Sequence, residues 1–150
     1  MSLLWLKTSS KSIEDLHQMF KDGDPQAPGD DGVSETQEIP FADSHHMVAD
    51  WLEAQPHEVR YDLKHIPTDK FAHRGHSFDH DPWEKDYIQG MAHHLRSGGQ
   101  LPPLMAADVP GESWGQKSAE PVTIIDGAHR AAAHVIAGSK TIPIWVGTKQ

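Results

Sequence analysis

Residues Val122 to Val146 read VTIIDGAHRAAAHVIAGSKTIPIWV, and the reading of this stretch decides the fold. Val122, Thr123, Ile124 and Ile125 form a β-branched run that stops at Asp126-Gly127. An alanine-rich segment follows, Gly138 closes it, and a second β-branched run begins at Thr141. β-branched side chains suit a pleated strand, alanine has the highest helix propensity, and glycine readily takes the left-handed conformation that ends a helix. The pattern therefore predicts strand, tight turn, helix, glycine cap and strand. The turn delivers the chain into the helix at Ala128, His129 and Arg130. Unpaired backbone N–H groups, the positive end of the helix dipole and a guanidinium converge there, a setting suited to a phosphate.

Upstream, Val59, Tyr61 and Leu63 alternate with Arg60, Asp62 and Lys64, the period of a half-buried strand leading into Ile66-Pro67. An irregular run from His73 to His80 follows. Asp81-Pro82-Trp83-Glu84 then supplies an N-cap, a first-position proline and a capping-box glutamate for a helix whose buried stripe is Trp83, Tyr87, Ile88, Met91 and Leu95. Gly98-Gly99 closes it. Leu101 to Ala106 reads as a short buried strand, with Pro102 and Pro103 pushing its start toward a sheet edge. Asp108 to Glu120 is a polar connection in which Trp114 is read as a clasp against the core in preference to an exposed stacking platform.

Residues 1–58 read as a helical N-terminal extension to a domain spanning 59–150. Met1 to Lys7 is apolar for too few positions to be a signal peptide or a membrane span, so a short strand or docking tail is expected. Ser12-Ile13-Glu14-Asp15 resembles a capping box, and Ile13, Leu16 and Phe20 share one face of the helix that follows. Lys21 to Glu38 is rich in Asp, Gly, Pro and Ser and reads as a flexible acidic loop. Met47, Val48, Trp51 and Leu52 then mark another short helix, ended by Pro56.

With 150 residues the chain makes one domain with a decorated end, of α/β (α+β) class, built on a small mixed sheet with packed helices. The 13 Lys plus Arg stand against 22 Asp plus Glu, a formal net charge of −9 that opposes attraction to DNA or to anionic membrane. The absence of cysteine removes disulfides, cysteine–zinc sites and thiol catalysis, and fits a cytoplasmic setting. A mean hydropathy of −0.59 agrees with a soluble protein and no membrane partner. Twelve histidines, among them His73, His76 and His80, invite a metal-dependent nuclease reading, although they match no established zinc spacing.

The segment Asp126-Gly-Ala-His-Arg130, the alanine-rich helix, Gly138 and the Thr141-Ile-Pro-Ile strand resemble the nucleotide-binding motif of the ParB/sulfiredoxin-like superfamily. Gly127, Arg130 and Ala133 fill its Gly-x-x-Arg-x-x-Ala core. The resemblance extends over about residues 61–146 through Ile66-Pro67, Arg74, the helix from Pro82 and Gly99-Gln-Leu-Pro102, and in compactness the chain is most similar to short phage and plasmid ParB-like nucleases. The position before His-Arg that holds the reactive cysteine in sulfiredoxins is Ala128, so sulfinic acid reduction is excluded. Asp126, Gly127, His129 and Arg130 match the free-serine kinases of the superfamily, whose upstream carboxylate base no motif here places. No helix-turn-helix is expected after the motif, so any nucleic-acid contact should be weak and non-specific.

What the resemblance implies is a nucleotide, ATP or CTP, accompanied by Mg2+ and held by Gly127, Ala128, His129, Arg130 and Arg74, with His129 and Asp126 as the catalytic candidates. Arg74 either clamps the phosphates opposite Arg130 or pairs with a surface carboxylate. His129 orients a phosphate, transfers a proton or caps its helix. Asp126 either pins the turn or holds a divalent cation. The activity expected is phosphoryl transfer or phosphodiester hydrolysis, the alternative being a non-catalytic interaction module that retains the fold.

Overall fold

The computed structural model describes residues 10–28, 45, 48–50, 52, 58–76, 78–108 and 121–149. Among the described residues eight elements run in order: α1 (Ile13–Lys21), β1 (Val59–Pro67), a 3-10 segment (Thr68–His76), α2 (Pro82–Arg96), β2 (Leu104–Ala107), β3 (Thr123–Asp126), α3 (Ala128–Ala137) and β4 (Thr141–Lys149). The four strands form one mixed sheet in the order β1-β4-β2-β3. β4 pairs antiparallel with β1 along its whole length, from Pro67↔Thr141 to Val59↔Lys149. On its other side it runs parallel to β2, starting at Leu104↔Ile144, and β2 pairs antiparallel with β3. Pro143 stands one residue ahead of the β2 pairing, where an absent N–H interrupts no parallel ladder.

Both faces of the sheet are covered, which is why its strands read as dense apolar runs. One face joins Val59, Tyr61, Met105, Ile125 and Trp145 to Ile13 and Leu16 of α1 and to Val48 and Ala49. The other joins Leu104, Ala106, Ile142, Ile144 and Val146 to Phe71 and to Ala131 of α3. A third cluster, Ile88 and Met91 against Ala132 and Ala133, stacks α2 on the outside of α3. α3 is thus enclosed from two sides, and six consecutive residues from His129 to His134 are buried. Small alanines let both layers approach it.

Several expectations hold and several are corrected. The Ser12 capping box forms reciprocally with Asp15, and Lys11 bridges to Tyr61, tying the N-terminal extension to the sheet. Phe20, expected on the buried face of α1, is 52% exposed, and Met19 packs against the core instead. Trp83, expected in the buried stripe of α2, is 49% exposed and stacks on Tyr87 one turn further on. Pro102 and Pro103 precede β2 and do not mark an edge: β2 lies between β4 and β3. Within the expected acidic loop, Ala27 and Pro28 are buried and the Gln26 carbonyl accepts from Trp145 Nε1 at 2.7 Å. The readings on Met1–Lys7, residues 29–38, Met47, Trp51 and Trp114 lie outside the described residues. Among the described residues no helix is long and apolar enough to cross a membrane.

Candidate functional site

The β3–α3 turn is built around Gly127. Its φ of 109° lies where a side chain is rarely tolerated, and an added Cβ would stand 2.5 Å from Leu104 Cγ. Glycine is therefore required twice over, by backbone conformation and by contact with the first residue of β2. Gly127 supplies no side-chain cap, so the first-turn N–H groups of α3 lack an intrahelical acceptor, and Ala128, half-buried, is the residue at which that end approaches solvent. Ala131 N–H already bonds the Gly127 carbonyl at 2.8 Å, closing the first turn.

Arg130 points the other way. Its side chain is fully enclosed, and Nη1 donates to the carbonyls of Pro102 and Pro103, both at 2.9 Å. Nη2 lies 3.6 Å from Asp126 Oδ1, whose side chain is 2% exposed. A planar guanidinium with five donors satisfies several acceptors at once, so Arg130 staples the lead-in of β2 to the end of β3 across the first turn of α3. The two residues expected to hold phosphate and metal are thus turned toward each other inside the protein.

His129, adjacent in sequence, faces the opposite layer. Its Nε2 contacts Glu84 Oε1 of α2 at 3.1 Å, with the His129 side chain 6% exposed and that of Glu84 20% exposed. Phe78 stacks on the imidazole at 4.3 Å and 15°, and Tyr87 meets it edge-on at 5.9 Å. A carboxylate can only accept, so Nε2 carries the proton of this contact. Glu84 was read from sequence as a capping-box partner. Asp81 caps α2 by itself, accepting from both Trp83 N–H and Glu84 N–H, and the Glu84 carboxylate is left to reach His129. The signal that could have found it is this redundancy of caps, since one aspartate satisfies both donors.

Arg74 is half-buried in the 3-10 segment, which packs against α3 through Gly75 and Val135. Since the Arg130 guanidinium is enclosed and committed to Pro102, Pro103 and Asp126, the two arginines do not form an open pair of jaws. In the histidine-rich loop, His76 Nδ1 meets Asp79 Oδ2 at 2.7 Å on an exposed surface, and His73 and His80 are exposed. Among the described residues no group of three His, Asp or Glu side chains stands where a metal ion could be held. Comparison with models of protein families finds no match, and comparisons with curated proteins and with solved structures find none either.

Proposed function

We propose that the chain binds a phosphate-bearing ligand of the nucleotide class, ATP or CTP, at the N-terminal end of α3, and that the Glu84–His129 pair handles a proton there. The observation that carries this reading is the pair itself: residues 84 and 129 meet at 3.1 Å on two different helices, within the first turn of α3. Backbone N–H groups at a helix start favour phosphate oxygens. Glu84, the more open member, accepts a proton from an attacking water or hydroxyl, while His129 holds the carboxylate in place and shares its charge. Arg130 supports the turn and does not touch the ligand. Asp126 does not fit as a Mg2+ ligand, because its carboxylate is enclosed against Arg130. Mg2+ keeps several waters and binds largely through substrate phosphate oxygens, which would leave the Glu84 carboxylate to accept the proton. When bound, the ion would neutralise charge on the phosphates.

The full burial of Arg130 favours a second reading, an interaction module in which the motif arginine is a structural strut and turnover is absent. Thermal shift and phosphate release with ATP, CTP and inorganic phosphate, each with Mg2+, Mn2+ or EDTA, separate the two. The first reading expects a ligand-induced rise in Tm that survives Glu84→Gln, and divalent-dependent turnover reduced at least about tenfold in Glu84→Gln and in His129→Ala. A stabilised but inactive protein under every condition supports the module, and no shift with any phosphate compound removes the first reading.

A further inference from the structure

A cleft of about 220 Å³ opens at the C-terminal end of α3, away from the turn at Gly127. Leu63, Leu95, Leu101, Pro103 and Pro143 give it apolar walls, and His134 is its buried polar member. Among the described residues, no carboxylate, lysine or arginine lines it. His134 is 5% exposed, and its Nδ1 shares a hydrogen bond of 2.9 Å with Ser139 Oγ. Gly138 N–H and Ser139 N–H both bond the His134 carbonyl at 3.1 Å, so the hydroxyl is held in place by the helix cap. The other ring nitrogen, Nε2, is buried and has no hydrogen-bond partner among the described residues. A buried polar atom in that state costs free energy, and proteins rarely leave one unused.

We propose that this cleft is a binding site for a small, neutral, mainly apolar molecule carrying one hydroxyl group, with His134 Nε2 as the atom that recognises the hydroxyl. Gln26, His65 and Gln100 add polar lining, and with no carboxylate, lysine or arginine on the walls among the described residues the cleft favours a neutral ligand. Burial, and after it the positive charge of Arg130, push His134 down to about 4, so the ring stays neutral near pH 7 and recognises by hydrogen bond alone. The Ser139 hydroxyl rotates, and it serves Nδ1 as donor or acceptor. When the hydroxyl donates to Nδ1 the ring proton sits on Nε2, which then donates; when it accepts from Nδ1–H, Nε2 accepts, and a ligand hydroxyl satisfies either state. The volume lies below the range of drug-sized pockets, which limits the ligand to a fragment such as a single substituted ring.

The test uses the full chain with 13C-labelled leucine methyls and 15N-labelled histidine, titrated at pH 7 with phenol and, separately, with toluene. Phenol is expected to shift the methyl signals of Leu63, Leu95 and Leu101 and the Nε2 signal of His134, whereas toluene leaves Nε2 unmoved. In His134→Leu, which keeps the volume and removes the polar atom, the phenol-to-toluene affinity ratio should fall at least about tenfold. Should that variant not fold, the Nε2 response of the wild-type chain decides alone. The proposal is overturned if phenol moves none of the three methyls, if it leaves Nε2 unshifted, or if the affinity ratio is unchanged in a folded His134→Leu.

Discussion

A guanidinium enclosed on every side has to be matched donor for acceptor, and at Arg130 the acceptors come from Pro102, Pro103 and Asp126. Truncating one partner of such a set leaves two carbonyls and a carboxylate buried without it. Arg130→Ala is therefore expected to cost roughly 3–5 kcal/mol of folding stability, measured by urea denaturation at pH 7. A loss below about 1 kcal/mol would show that the carboxylate and carbonyls find water instead. The sequence placed a cation at a helix start, and a solvent-facing phosphate ligand was the natural expectation. What was not legible is direction: His129 and Arg130 are neighbours in the chain but lie about 100° apart around the helix. The Glu84–His129 contact was hidden for a different reason, since two residues 45 positions apart on different helices announce no pairing in sequence.

At the scale of elements, the β3–α3 turn carries the sharpest constraint. A side chain at Gly127 has to adopt a positive φ and push Leu104 aside. The backbone term is about 1–2 kcal/mol and overpacking about 1–3 kcal/mol, so Gly127→Ala should destabilise by roughly 2–4 kcal/mol. Combining it with Leu104→Ala makes room for the new methyl. The double variant is expected to be less destabilised than the sum of the two single variants, by at least about 0.5 kcal/mol in a denaturation cycle. Strict additivity would mean that the contact with Leu104 contributes nothing. Strand, turn, helix, cap and strand over 122–146 were legible because β-branched, glycine and alanine preferences agree there with the tertiary environment. Agreement is weaker where an apolar residue finds a local partner. Trp83 matches the helical period yet remains half-exposed over Tyr87, a contact four residues away that stabilises the helix without burying the indole. The prolines at 102 and 103 do not mark a sheet edge because their carbonyls accept from Arg130 ahead of β2, and that contact, not strand pairing, determines their position.

For the whole molecule, the two-sided covering of a four-stranded sheet places some polar side chains in the interior, and among them His134 is the buried histidine whose proton affinity is lowered by that burial. Its folded value is about 4, against a usual 6.5, with burial as the larger cause and the Arg130 charge as the second. Above about pH 6.5 the imidazole is neutral in both states and contributes nothing to the pH dependence. As pH falls from 6.5 toward 4, the unfolded chain takes up a proton that the folded chain refuses. Stability therefore decreases through this window, by on the order of 3 kcal/mol when the folded group itself begins to protonate. His134→Leu removes the group that the unfolded state protonates, and the variant's stability should decline less between pH 7.5 and pH 4.5 by most of that amount. Urea denaturation of both proteins at the two pH values measures the difference directly, and equal losses would assign the acid sensitivity to other groups. The comparison also bears on the cleft: a hydroxylated ligand bonded to Nε2 favours the neutral ring of the folded chain, so saturating phenol should leave the onset of the wild-type decline near pH 6.5, move the pH at which it levels off below about 4, and leave the variant's profile unchanged in shape.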